Sequence, residues 1–266
     1  MNKLLPYSCP RLIYYTESPS AMWILMENIT TWVNINGEHR VNETLVDGLY
    51  TIQAAFLDNT QALLESFKAI PIVTKDVLLR AGYSSLMQIN ELSTNELFAE
   101  TFGSYGWNRI KRSIEKVLEE VKDCSFSSTL IHGNYYPNTA RAMRDDQGRL
   151  HVVAYDWQNA AIGWPQVDLV ILLDRLDILA KDQGLPGPSS VLLQGYLSRL
   201  IDEFDIDPEM FYKVYKVCYV CRILPLMRWW MRGHMQDPSR DPERVFLEIR
   251  SKLDVVSSWQ SIQSPG

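Results

Sequence analysis

Leu130-Ile131-His132-Gly133-Asn134-Tyr135-Tyr136-Pro137-Asn138-Thr139, followed after a short hairpin by Val152-Val153-Ala154-Tyr155-Asp156-Trp157, is the stretch on which the reading of this chain turns. An apolar run enters a loop that carries His132, Gly133 and Asn134, and a second apolar run ends on an acid and an aromatic. Between them, residues 139–144 and 150–155 read as two short strands joined across Asp145-Asp146-Gln147-Gly148, a turn-forming cluster. The strands bring the polar loop and Asp156 to the same end of a small sheet.

This spacing resembles the aminoglycoside phosphotransferase and choline kinase family, in which His-Gly-Asp, four residues and an Asn precede a strand ending in Asp-Trp. Asn134 stands where the family has its catalytic Asp, and Thr139 where it has the Asn. The run after Asp156, Trp157-Gln158-Asn159-Ala160-Ala161-Ile162-Gly163-Trp164-Pro165-Gln166-Val167-Asp168-Leu169, is similar to the family's Asp-Trp-Glu, small pair, Gly, short loop and Asp-Leu. The match covers about a sixth of the chain at the level of motifs. It implies an α+β fold: a protein-kinase-like large lobe of the aminoglycoside phosphotransferase type, mostly helical, with a small β-hairpin and remnant small-lobe strands. It also implies that Asp168 opens a helix and holds the loop through backbone hydrogen bonds, and that His132 packs beneath the loop in a structural role.

Phosphoryl transfer from ATP is mainly positioning and charge neutralisation. One carboxylate orients or accepts the proton of the attacking hydroxyl, and an Asn and a second Asp hold magnesium against the phosphates. Asn134 has nearly the shape of Asp, but a carboxamide carries no charge and accepts no proton at neutral pH. The resemblance assigns metal ligation to Asp156, with Thr139 or, after a one-residue shift, Asn138 beside it. A hydroxyl is a weak ligand for a cation that prefers an octahedron of oxygens. Magnesium and ATP are therefore the implied cofactors, with weak binding and weaker turnover expected.

The N-terminus departs further from the pattern. Residues 10–15 and 22–29 read as two short strands resembling the last small-lobe strands and the hinge, where the backbone at Glu27 and Asn28 would meet adenine. A glycine-rich phosphate loop and a strand lysine are expected in such a lobe. No Gly-x-Gly-x-x-Gly precedes the strands, and Lys3 lies too near the start to be that lysine. Residues 1–30 are read as the remnant of the small lobe and hinge, and 31–266 as the helical large lobe carrying the phosphotransferase-like site. An uncovered strand edge over residues 22–29 implies a protein partner there, self-association, or the segment from Met1 to Cys9 folding back to cover it.

Composition narrows the classes. The 266 residues are 46% hydrophobic, enough to bury a sizeable core, and the net charge of −6 gives no basic surface for nucleic acid. The first residues are too short and polar for a signal peptide, and Lys216, Arg222 and Arg228 interrupt the most apolar later run. A cytoplasmic protein without membrane segments is expected. Cys218 and Cys221 form a Cys-x-x-Cys within a helical pattern, which reads as a buried helix face. Arg222, Arg228, Arg232 and Arg240 read as a solvated face.

Helical periodicity runs over residues 43–67, 108–121 and 166–181, with a less regular region of short helical runs over 70–102. Asp207-Pro208-Glu209 and Asp241-Pro242-Glu243 each place an N-cap, a first-turn Pro and an acid in sequence, and the helix from Pro208 is expected to kink near Pro225. Tyr135, Tyr136, Trp157 and Trp164 are candidates to line a substrate cleft, with Trp230 of the Trp229-Trp230 pair as a further wall. Asp202, Glu203, Asp205 and Asp207 read either as bait for a cationic substrate or as a solvated helix end.

Three functions follow from these residues. The first is a non-catalytic or repurposed kinase-like protein, a pseudokinase, that binds a small molecule, peptide or partner in the large-lobe groove. The second is an ATP-dependent phosphotransferase acting on a small hydroxylated substrate, its site completed by a partner chain. The third is a different chemistry in which Asn134 and Tyr135 polarise a substrate.

Overall fold

Two short antiparallel strands, β1 (Leu12–Ser18) and β2 (Ala21–Met26), open the described part of the chain, pairing from Leu12↔Met26 to Ser18↔Ala21 with a bulge between Leu12 and Tyr14. The structure is a computed structural model. It describes residues 12–18, 21–26, 39–57, 59, 61, 64–65, 70–92, 96–144, 150–236 and 249–256. Glu27 and Asn28, the side chain of Trp230 and the capped segment at Asp241 lie outside the described residues.

Contacts divide the chain into two units, each drawing on two stretches: residues 1–72 with 127–208, and 73–126 with 209–266. In the first unit, α1 (His39–Ala54) lies against strands β3 (Thr129–Ile131), β4 (Ala140–Arg144) and β5 (Leu150–Ala154) and against helices α4 (Gln166–Asp182) and α5 (Ser189–Phe204). Strands β4 and β5 form the expected hairpin, in register from Ala140↔Ala154 to Arg144↔Leu150. Strand β6 (Ala161–Gly163) returns antiparallel to β3, with Leu130 opposite Ile162. The core is the apolar face of α1 (Leu45, Leu49, Ile52) together with Leu130, Val153 and the α4 run Leu169–Leu173, all buried. Gly48 in α1 faces Val152 so closely that a Cβ there would sit 2.5 Å from the valine Cβ, which is why this helix can lie on β5.

Periodicity places α1 at residues 43–67, but the helix starts at His39 and stops at Ala54. The stop has a local cause. The Gln53 carbonyl accepts the Phe56 N–H at 3.1 Å and the Thr129 hydroxyl at 2.6 Å, so the helix tightens and is captured by β3 instead of continuing.

In the second unit, α2 (Lys75–Leu92) is one 18-residue helix where the sequence suggested only short runs. Thr74 starts it by accepting the Val77 N–H at 3.3 Å. Its pattern is obscured by Gly82-Tyr83-Ser84-Ser85, poorer helix formers, yet a Cβ on Gly82 would press on Cys221 and Leu118 at about 3 Å. Helix α3 (Glu96–Glu120) reaches back beyond the expected Asn108 and breaks at Gly103, whose φ of 60° and ψ of 157° only glycine adopts readily. Phe98, Phe102 and Trp107 pack around that break, with Phe98 and Trp107 edge-on at 5.1 Å. Helix α6 (Pro208–Gln236) continues through Pro225. Cys218 and Cys221 are buried on it, the Cys221 thiol donating to the Leu78 carbonyl at 3.3 Å. Trp229 is exposed. No described helix is long and apolar enough to cross a membrane.

Candidate functional site

Residues 132–139 join β3 to β4, and residues 155–160 join β5 to β6. Because β3 pairs with β6 and β4 with β5, the two connections emerge side by side. Asn134, Asn138 and Thr139 on the first connection thereby come beside Asp156 on the second, and the Tyr155 N–H donates to the Thr139 carbonyl at 2.9 Å.

Asp168, in the first turn of α4, supports the loop from below. Its Oδ2 accepts the His132 N–H at 2.6 Å and its Oδ1 the Gly133 N–H at 2.8 Å. The carboxyl is fully buried, and burial pushes it up to about 7; the backbone N–H groups of His132, Gly133 and Tyr135 and the side chain of Gln53 pull it back down. Both oxygens of Asp168 face the protein.

His132 lies beneath the loop. Its Nε2 meets the Tyr155 carbonyl at 2.8 Å, and a carbonyl only accepts, so Nε2 carries the proton. Burial holds the ring below its ordinary value, and Nδ1 has no hydrogen-bond partner among the described residues. The ring packs on Trp157 at 4.5 Å between centroids and edge-on to Tyr135 at 5.9 Å. Gly133 has φ +77°, and a Cβ on it would lie 2.2 Å from the Asn159 carbonyl oxygen. Glycine is thus required both by the backbone and by the close approach of the 3-10 turn Trp157–Asn159.

Tyr135 was expected in a substrate cleft. Its ring has no exposed surface, and its hydroxyl donates to the Leu45 carbonyl at 2.9 Å, so it anchors the loop to α1 and lines no cleft. A chemistry that polarises a substrate with Tyr135 loses one of its two groups. Trp164 is buried as well. Tyr136 is half-buried, with the Arg175 guanidinium 5.6 Å from its ring centroid, and Trp157 is half-buried with its Nε1 donating to the Ala154 carbonyl at 3.0 Å.

The candidate metal ligands separate by exposure. Asp156 is exposed and left-handed (φ 64°, ψ 53°), a conformation in which Asp is enriched. Asn138 is exposed, and its backbone carbonyl accepts the Tyr155 hydroxyl. Thr139 is buried: its hydroxyl donates to the Asn134 carbonyl and accepts the Tyr136 N–H at 3.2 Å. No group of three His, Cys, Asp or Glu that could hold a metal occurs among the described residues. Asp156 and the exposed Asn138 amide are the oxygen donors open to a magnesium ion here, while the Thr139 hydroxyl is committed to the loop.

The acids Asp202 and Glu203 are exposed at the end of α5, where both act on the Tyr50 phenol and help hold it above its ordinary value after burial itself. Asp205 caps that helix in a left-handed conformation. Sequence reading missed Gln53 and Tyr196, which meet behind Asp168; a glutamine on the apolar face of α1 was the available signal.

No family model and no curated protein matches the chain. Solved structures do. An aminoglycoside phosphotransferase from Alicyclobacillus acidocaldarius superposes with a TM-score of 0.62 at 12% identity, covering 97% of this chain and 80% of that one. The ternary complex of a thermostable aminoglycoside phosphotransferase APH(4)-Ia with AMP-PNP and hygromycin B gives 0.55 at 13% identity, over 96% and 78%. Macrolide 2'-phosphotransferase MphH from Brachybacterium faecium gives 0.51 at 15% identity, over 93% and 76%. The fold is kinase-like, of the aminoglycoside phosphotransferase type. Within this fold, the loop bearing Asn134 and the turn bearing Asp156 stand side by side as the hairpin spacing requires.

Proposed function

We propose that this chain is a cytosolic kinase-like protein without phosphotransferase turnover, which uses the open face of the loop to bind a small molecule, peptide or partner protein. The observation that carries the reading is the state of Thr139. Its hydroxyl is committed to the backbone of Asn134 and Tyr136, so the position where the family has its metal-binding Asn is given over to the loop, while Asn134 supplies no base. A general base contributes about 10²- to 10⁴-fold to a rate. Asn134, Tyr136, Asn138, Asp156 and Trp157 remain partly or fully exposed as the binding face.

Calorimetric titration with magnesium-ATP, together with ATP consumption in the presence of hygromycin B as a hydroxylated acceptor, tests this. The expected result is no turnover above background, with or without Asn134→Asp. Robust consumption abolished by Asp156→Ala would establish the opposite reading, an ATP-dependent phosphotransferase. Self-association or a partner chain along β2 belongs to the same proposal. Hydrogen exchange across Trp23–Met26 at rising protein concentration checks it, and unchanged protection in a chain that stays monomeric removes self-association.

A further inference from the structure

Gln53 sits on the core face of α1 with 1% of its surface exposed, among Leu45, Leu49 and Ile52. Its amide is fully used. Nε2 donates to the Pro165 carbonyl at 2.9 Å, the side chain also bonds the Asp168 carboxylate, and Oε1 accepts the Tyr196 hydroxyl. Tyr196, from α5, is buried and stands edge-on to Tyr50 at 5.7 Å. One side chain thus ties together α1, the entry to α4 and α5.

We propose that Gln53, braced by Tyr196, is a positioning residue that sets the direction of the Asp168 carboxylate and, through it, the path of the loop carrying Asn134. The physical need is specific. The last torsion of an Asp is broad, yet here Oδ1 and Oδ2 must each face one of two successive N–H groups. Gln53 contributes the side-chain hydrogen bond to that carboxylate. A carboxamide also suits its other neighbours, since it must donate to a carbonyl and a carboxylate while accepting from a hydroxyl. Glutamate would turn oxygen toward both acceptors. Methionine matches the length but leaves the Pro165 carbonyl, the Tyr196 hydroxyl and the carboxylate each short of a partner. The inference holds whether the loop binds nucleotide, turns it over or does neither.

Site-resolved amide exchange of the full chain tests it, comparing wild type with Gln53→Met and Tyr196→Phe. The readout is protection at the His132 and Gly133 N–H groups relative to the α4 interior at Leu172 and Leu173. In Gln53→Met that ratio falls by roughly ten- to a hundredfold, the loss expected when hydrogen bonding to a buried charged group is weakened. Tyr196→Phe, which removes only the brace, lowers it less and in the same direction, and it carries the test alone if Gln53→Met does not fold. Equal loss at both sets of amides would reduce Gln53 to packing, and an unchanged ratio would remove its hold on the loop; either overturns the proposal.

Discussion

Below the loop of residues 132–139, Asp168, Tyr135 and Thr139 are buried and hydrogen-bonded to backbone, whereas on its open face Asn134, Asn138 and Asp156 are partly or fully exposed, with Asn134 standing where a phosphotransfer site has its catalytic carboxylate. The two sides answer to different physics. A buried acceptor that holds two N–H groups cannot be lost without leaving those donors unpaired, so it is tied to folding. A charge on the open face is solvated in either form, so its loss changes chemistry and leaves the backbone intact. Support and chemistry can therefore part company on one short loop.

The largest expected effect is on the buried side. Asp168→Ala orphans the His132 and Gly133 N–H groups and takes one partner from the Gln53 amide, and should destabilise the chain by about 3–5 kcal/mol, read as a lower urea midpoint at unchanged slope. A midpoint within error of wild type would break the comparison.

The same residue gives a pH signature with a definite sign. Asp168 titrates near 7 in the fold and at about 3.9 in the unfolded chain, so the folded state holds the extra proton in between. Its contribution is complete below about pH 4 and is lost as the pH rises through about 7. His132, held below its ordinary value, acts in the opposite sense: the unfolded chain takes up the extra proton below about pH 6.5, so stability is lost as the pH falls. The two oppose each other in mildly acidic solution. Asp168→Asn should leave a curve that climbs with pH and levels off near about 6.5. A variant curve parallel to wild type across pH 4–7.5 would contradict the assignment.

Gly133→Ala comes next, at about 2–4 kcal/mol, because the new Cβ meets the Asn159 carbonyl in a left-handed backbone. Thermal unfolding reads it. Thr139→Val keeps the shape and removes both hydroxyl bonds, for about 1–3 kcal/mol. At the open face, Asn134→Asp and Asp156→Asn should each stay within about 0.5 kcal/mol of wild type. A large stability change from either would show that the open face is also structural.

Much of this was legible beforehand where the signal is local. The hairpin pairing and the His132–Thr139 connection follow from strand alternation and short-range spacing, and β4 and β5 pair as expected, while the turn residues 145–149 lie outside the described residues. Asp168 stood out through motif spacing. Less legible were effects of tertiary contact: α1 stops at Ala54 because Thr129 captures the Gln53 carbonyl, and α2 stays helical through Gly82 because Leu118 and Cys221 approach it. Tyr135 misled for the same reason. An aromatic in a polar loop reads as cleft lining until the Leu45 carbonyl beneath it is seen.

Thr139 also constrains the order in which metal-assisted phosphotransfer could be built on this loop. Its hydroxyl grips the backbone of Asn134 and not the side chain, so Asn134→Asp disturbs no grip of the loop and is open at any time, though idle alone. Thr139→Asn would have to surrender that grip to reach an ion, lowering stability before any catalytic gain exists to select for it. The staple behaves as a ratchet: the acid–base position of this loop is free to change, but a Thr139→Asn step toward metal ligation passes through a less stable intermediate.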